Sequence, residues 1–197
     1  VSKLLLAVEE CCLHAINTNE SDEIVGRLLE HFYEINEGIG VHKSPELYGA
    51  FPTDPYSHTP FGKGAQQPGM TGQVKEDILT RFGELGVFVK EGQLRFNPCL
   101  LRANEFLEEP VVFDFITIDL QSKSITLPEN SMAFTYCQVP VIYHISDRDY
   151  IELFHHNGTS ERIDNLILDA KISEKIFNRS GEIDHIKVHI KEEHLKK

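Results

Sequence analysis

Up to Gly86 the apolar residues of this chain recur every three or four positions; from Val87 onward they recur every second position. The first spacing lays side chains along one stripe of a helix, the second along one face of a pleated strand. The switch predicts an α+β chain, with helices over 1–86 followed by an antiparallel β-sandwich over 87–197.

Three helices are expected. Ser2 to Ile16 carries Leu4, Leu5, Val8, Cys12, Ala15 and Ile16 at helical spacing. Ser21 is a good cap for a second helix, with Asp22 and Glu23 at its positive dipole end and Ile24, Val25, Leu28, Leu29, Phe32 and Ile35 as its apolar face. Asn17 to Glu20 is short enough only for antiparallel packing of the two. A third helix, capped by Thr71 and ended by Gly86, has Val74, Ile78, Phe82 and Leu85 inward; Glu76 lies well away from that face, and Asp77 and Arg81 are spaced for a surface ion pair.

In the strand half, Glu91-Gly92 reads as a tight hairpin between Val87–Lys90 and Gln93–Phe96. Phe113 to Leu120 pairs with Ser124 to Leu127, and Ala133 to Ile145 reads as one long run bent at Pro140. Asn157-Gly158 joins Tyr150 to His155 with Arg162 to Leu168, and His185 to Ile190 is the last strand.

Between the second and third helices lies Gly49 to Gly72, with five glycines and four prolines. That density forbids a helix or a central strand, and ordered loops of this length are usually functional. Asp54, His58, Gln66 and Gln67 can grip hydroxyls, while Tyr56 and Phe61 can stack on an apolar ring face, a mixture suited to a saccharide or other polyol. Asp54, Glu76 and Asp77 could supply the two carboxylates that glycoside cleavage needs.

The net charge of −12 leaves no basic stripe for nucleic acid or an anionic membrane surface. Neutral carbohydrate is indifferent to it. Cys11, Cys12, Cys99 and Cys137 form no zinc or redox motif; Cys11, Cys12 and Cys137 sit in apolar runs and read as buried free thiols, which fits reducing, cytoplasmic surroundings. No cofactor motif or metal-ligand spacing is present. His155 and His156, adjacent on a strand, face opposite ways and make a poor metal pair unless a bulge intervenes, and of the scattered His144, His185 and His189 the last two could share a face; a cupin-like metal site on the sandwich is the least favoured alternative.

The run Gly64-Ala-Gln-Gln-Pro-Gly-Met-Thr-Gly-Gln-Val-Lys-Glu-Asp-Ile-Leu-Thr-Arg, then Gly83-Glu-Leu-Gly-Val, "GQLRFNPCLL" and "SMAFTYCQVPVIYHI", resembles the C-terminal part of large bacterial glycosidase-like proteins with (α/α)6 toroids. In the related cellobiose-phosphorylase type, toroid helices lead into a β-sandwich with a G-x-L-x-F-x-P strand and a final I-x-V strand; Gly92, Leu94, Phe96, Pro98, Ile186 and Val188 are similar here. The resemblance implies that the helices end a bundle begun upstream and that the Gly49–Gly72 loop sits at the sugar-binding end. It assigns no catalytic residue. The expectation is a carbohydrate-active protein or its C-terminal portion, with a noncatalytic binding module as the alternative.

Overall fold

The computed structural model describes residues 2–38 and 74–196. The chain divides into two compact units, Val1–Gly83 and Glu84–Lys197. The described residues make an α+β fold with four α-helices and three sheets. Among the described residues no helix is long and apolar enough to cross a membrane.

In the first unit, α1 (Ser2–Asn17) and α2 (Asp22–Gly38) pack as a helical hairpin. Asn19 takes a left-handed φ of 54°, while the Asn19 and Glu20 amides donate back to Ile16 and Ala15, which satisfies the last carbonyls of α1. Ser21 Oγ accepts from the Ile24 amide and starts α2. Leu5, Cys12 and Ala15 of α1 and Val25, Leu29 and Phe32 of α2 are buried, whereas Leu4 and Ile24 are exposed.

The third helix, α3 (Val74–Glu84), turns a different face inward from the one its apolar residues predict. Glu76, Thr80 and Gly83 are buried, and Ile78 stands about half exposed at 49%. Gly83 lies on this buried stripe: lacking a side chain, it admits the Glu9 carboxylate of α1 against the helix.

In the second unit Gly86, with a φ of +68°, ends the helical path; its carbonyl accepts from the Asn97 amide. β1 (Val87–Lys90) and β2 (Gln93–Phe96) form the expected hairpin, with Glu91 and Gly92 both left-handed. β3 (Val111–Ile116) and β4 (Ser122–Leu127) form a second hairpin. The remaining strands, β5 (Ser131–Tyr136), β6 (Val139–Ser146), β7 (Tyr150–His155), β8 (Ser160–Ile163) and β9 (Ile183–Lys191), build one sheet in the order β5-β6-β9-β7-β8. All its neighbours are antiparallel except β6 and β9, which run parallel.

Two expectations change. The Ala133–Ile145 run is not one bent strand but two, folded at Cys137-Gln138, where both residues have positive φ. The stretch read as one strand to Leu168 leaves β7 at Ile163, bonds next to β2 through Leu166 and Leu168, and leads into α4 (Ala170–Phe177), whose cap Asp169 accepts from the Ile172 amide at 2.8 Å. This helix and the β1–β2 hairpin lie over the inner face of the five-stranded sheet, in a core of Leu94, Phe96, Ile176, Tyr143, Ile186 and Val188 among others. Ser173 of α4, fully buried, accepts from the Leu94 amide and donates to the Leu168 carbonyl, tying helix to hairpin. The four cysteines are free thiols; Cys12 is buried, but Cys11 is exposed and Cys137 sits half-buried in a turn, so burial holds for one of the three expected from their runs.

Candidate functional site

Of the residues with an expected role, Asp54, Tyr56, His58, Phe61, Gln66 and Gln67 lie outside the described residues. Glu76 and Asp77 lie in the first turn of α3. Adjacent helical positions are about 100° apart around the axis; Glu76 accordingly faces inward with 6% exposure while Asp77 is exposed. The two carboxylates do not share a face.

Glu76 is the informative one. Its Oε2 is buried without a hydrogen-bond partner, and so is Oγ1 of Thr80, one turn along the same stripe. A buried polar atom left unpartnered costs about 1–3 kcal/mol, so a stripe carrying two such atoms is held against its own solvation preference. Near the end of that stripe the carboxylate of Glu9, itself 2% exposed, rests on Gly83. The first unit therefore contains a polar seam inside helices where apolar packing is the rule. Sequence periodicity could not show Glu9, which falls between apolar residues of α1; the only trace is a glycine late in α3.

The second unit places other polar groups together. On the outer face of the five-stranded sheet, register aligns Ser131, His144, His189 and Tyr150 in one row across β5, β6, β9 and β7. Ser131 Oγ and His144 Nδ1 share a hydrogen bond of 3.0 Å, the His189 ring stacks on Tyr150 at 3.9 Å, and His189 Nε2–H donates to Glu152 at 2.9 Å. The Arg162 guanidinium covers the Tyr150 ring at 3.8 Å. Burial pushes the His144 and His189 imidazoles below their ordinary value, and the positive charge of Lys187 adds to the fall at both. At His189 the Glu152 hydrogen bond opposes this, as the Asn130 backbone does at His144. Both imidazoles thereby favour the neutral form more than a free histidine does. The cupin-like alternative needs three converging ligands, and among the described residues no group of three His, Cys, Asp or Glu side chains is placed to hold a metal ion.

A pocket of about 280 Å³ opens beside the β7–β8 hairpin, lined by His155, His156, Asn157, Ser180, Gly181 and Glu182. Asn157 Oδ1 accepts from both the amide and the hydroxyl of Thr159, so this Asn-Gly-Thr sequence is a side-chain-stabilised turn. Behind the pocket, Asp184 meets His156 at 3.4 Å, His185 at 2.8 Å and Lys123 at 3.5 Å. Burial raises the Asp184 carboxyl, but the His185 hydrogen bond and the charges of His185, Lys123 and His156 more than offset this and hold it below the usual value. Sequence reading saw His155-His156 only as a poor metal pair, because adjacent strand residues face opposite ways; the bulge between Phe154 and His155 alters that alternation.

Compared with known proteins, the chain matches no family model, and no curated protein matches it.

Proposed function

We propose that this chain is a carbohydrate-active, glycosidase-like protein or its C-terminal portion, binding saccharide on the helical unit through the Gly49–Gly72 segment and Glu76. The observation that supports it is the buried Oε2 of Glu76 without a donor, on a residue only four positions after Gly72. A sugar hydroxyl is the donor such an oxygen lacks, and the Thr80 hydroxyl, equally without a partner, would give or accept a second bond. In this reading Glu76 protonates the leaving glycosidic oxygen and Asp54 supplies the second carboxylate. His58 orients substrate or water, Gln66 and Gln67 hold hydroxyls, and Tyr56 and Phe61 stack on the ring. Asp77, on the exposed side, takes no part alongside Glu76.

The same reading treats the helices as the end of an α/α bundle and the C-terminal strands as a β-sandwich. Exposed Leu4, Ile24, Ile78 and Leu79 support further helices from an upstream domain packing on this unit. A noncatalytic saccharide-binding module is the second reading, and the separation of Glu76 from Asp77 favours it, because no second carboxylate faces Glu76 from its own turn. A panel of oligosaccharides screened by thermal shift tests binding, since a ligand of the folded state raises its melting temperature. Wild type responding where Asp54→Asn does not is the expected result. Release of nitrophenol from aryl glycosides separates enzyme from module.

A further inference from the structure

We propose that the pocket beside the Asn157-Gly158 turn is a second, independent binding site, for a neutral polyol with neighbouring hydroxyls and about the size of one sugar ring. Its volume of about 280 Å³ falls just under the roughly 300–1,000 Å³ of sites for drug-sized ligands, which limits the guest to a small molecule.

The lining is preorganised by partners outside it. Asn157 is fixed through Oδ1 by Thr159, which leaves the two donors of Nδ2 uncommitted. Glu182 is fixed through Oε2 by Lys175 at 2.7 Å, leaving Oε1 as an acceptor. His156 Nδ1 faces Asp184, leaving Nε2. Ser180 Oγ accepts from the Glu182 amide and keeps its own hydroxyl proton. His155 Nε2 is held by Glu161 at 3.2 Å, so Asn157, Glu182, His156 and His155 each have one atom held by the protein and one left for a guest, while Ser180 keeps its proton; binding requires little further ordering. The set is one amide donor, one carboxylate acceptor, one hydroxyl and two imidazoles, matched to groups that both give and take a proton, as hydroxyls do.

Charge disfavours an anion: the ammonium groups of Lys175 and Lys123 are already paired with Glu182 and Asp184. Gly181, at φ +77°, has nothing within 4 Å of where a β-carbon would stand, which keeps that wall open.

The test is an amide-resolved NMR titration of the full chain with D-glucose, D-galactose, D-mannose and D-xylose, and with inorganic phosphate as a control. We expect saturable shifts of the Gly158 and Gly181 amides with at least one sugar. Asn157→Asp keeps the Oδ1 acceptor that holds the turn but deletes both donors, and Glu182→Gln keeps the shape but removes the charge; each should weaken binding about tenfold, the effect of losing one hydrogen bond to the guest. Glu76→Gln should leave these shifts unchanged, which separates this site from the one on the helical unit. The proposal is overturned if no sugar moves those amides, if both pocket variants bind as wild type does, or if phosphate moves them more strongly than every sugar.

Discussion

The carboxylate of Glu9 on α1 occupies the space that a β-carbon at Gly83 on α3 would need. Glycine in a helix interior is normally worse than alanine by roughly 0.5–1 kcal/mol, so Gly83→Ala would ordinarily stabilise. Here the methyl must displace a buried carboxylate. We expect no gain in the urea midpoint from Gly83→Ala alone and a recovered gain in Glu9→Ala/Gly83→Ala relative to Glu9→Ala. Additive effects in that cycle would show that the two residues do not touch.

A glycine of the other kind gives a sharper loss. At Gly86 the backbone is left-handed, and a side chain would strike the backbone of Asn97 and Pro98. Gly86→Ala should cost more than about 1 kcal/mol of strain alone, read as a lower midpoint with an unchanged slope.

Tyr143, fully buried between β5 and β9, donates its hydroxyl to the Leu85 carbonyl at 2.6 Å. Burial holds the phenol well above its ordinary pKa, so it stays a donor throughout the usual pH range. Tyr143→Phe leaves that carbonyl without its donor and should cost about 1–3 kcal/mol. Equilibrium unfolding measures it, and a change within about 0.5 kcal/mol would mean the bond contributes nothing net.

The paired histidines make stability depend on pH in a definite direction. Because burial lowers both His144 and His189 in the folded protein, the unfolded chain takes up the proton first as pH falls. Their contribution is full above the unfolded value near 6.5 and is lost as pH falls through the lower folded values. The urea midpoint of wild type should drop between about pH 7.5 and about pH 5, and His189→Gln should flatten the drop. Parallel profiles would remove His189 from the account.

How much of this was legible in sequence follows from which interactions set each feature. The β1–β2 hairpin could be read directly, because Glu91-Gly92 places a glycine where φ must be positive. The β5–β6 turn could not: Cys137 and Gln138 take the same left-handed geometry without the residues that signal it, inside a run apolar enough to pass for one strand. Helix α4 carried a signal, Asp169 followed by Ile172 and Ile176 one turn apart, but only two turns of it. At the candidate site, Glu76 could be named from its place after the loop, yet it is buried on a stripe where Gly83 admits Glu9 across a tertiary contact. Periodicity within one helix carries no such information.

The most direct test of the central claim is calorimetric titration of wild type and Glu76→Gln with the oligosaccharide panel, alongside their unfolding curves. An amide at position 76 keeps the size of the buried side chain but can neither ionise nor give up an acid proton. The account predicts a Glu76→Gln protein at least as stable as wild type whose saccharide binding falls tenfold or more. Equal binding by both proteins, or none by either, would contradict it.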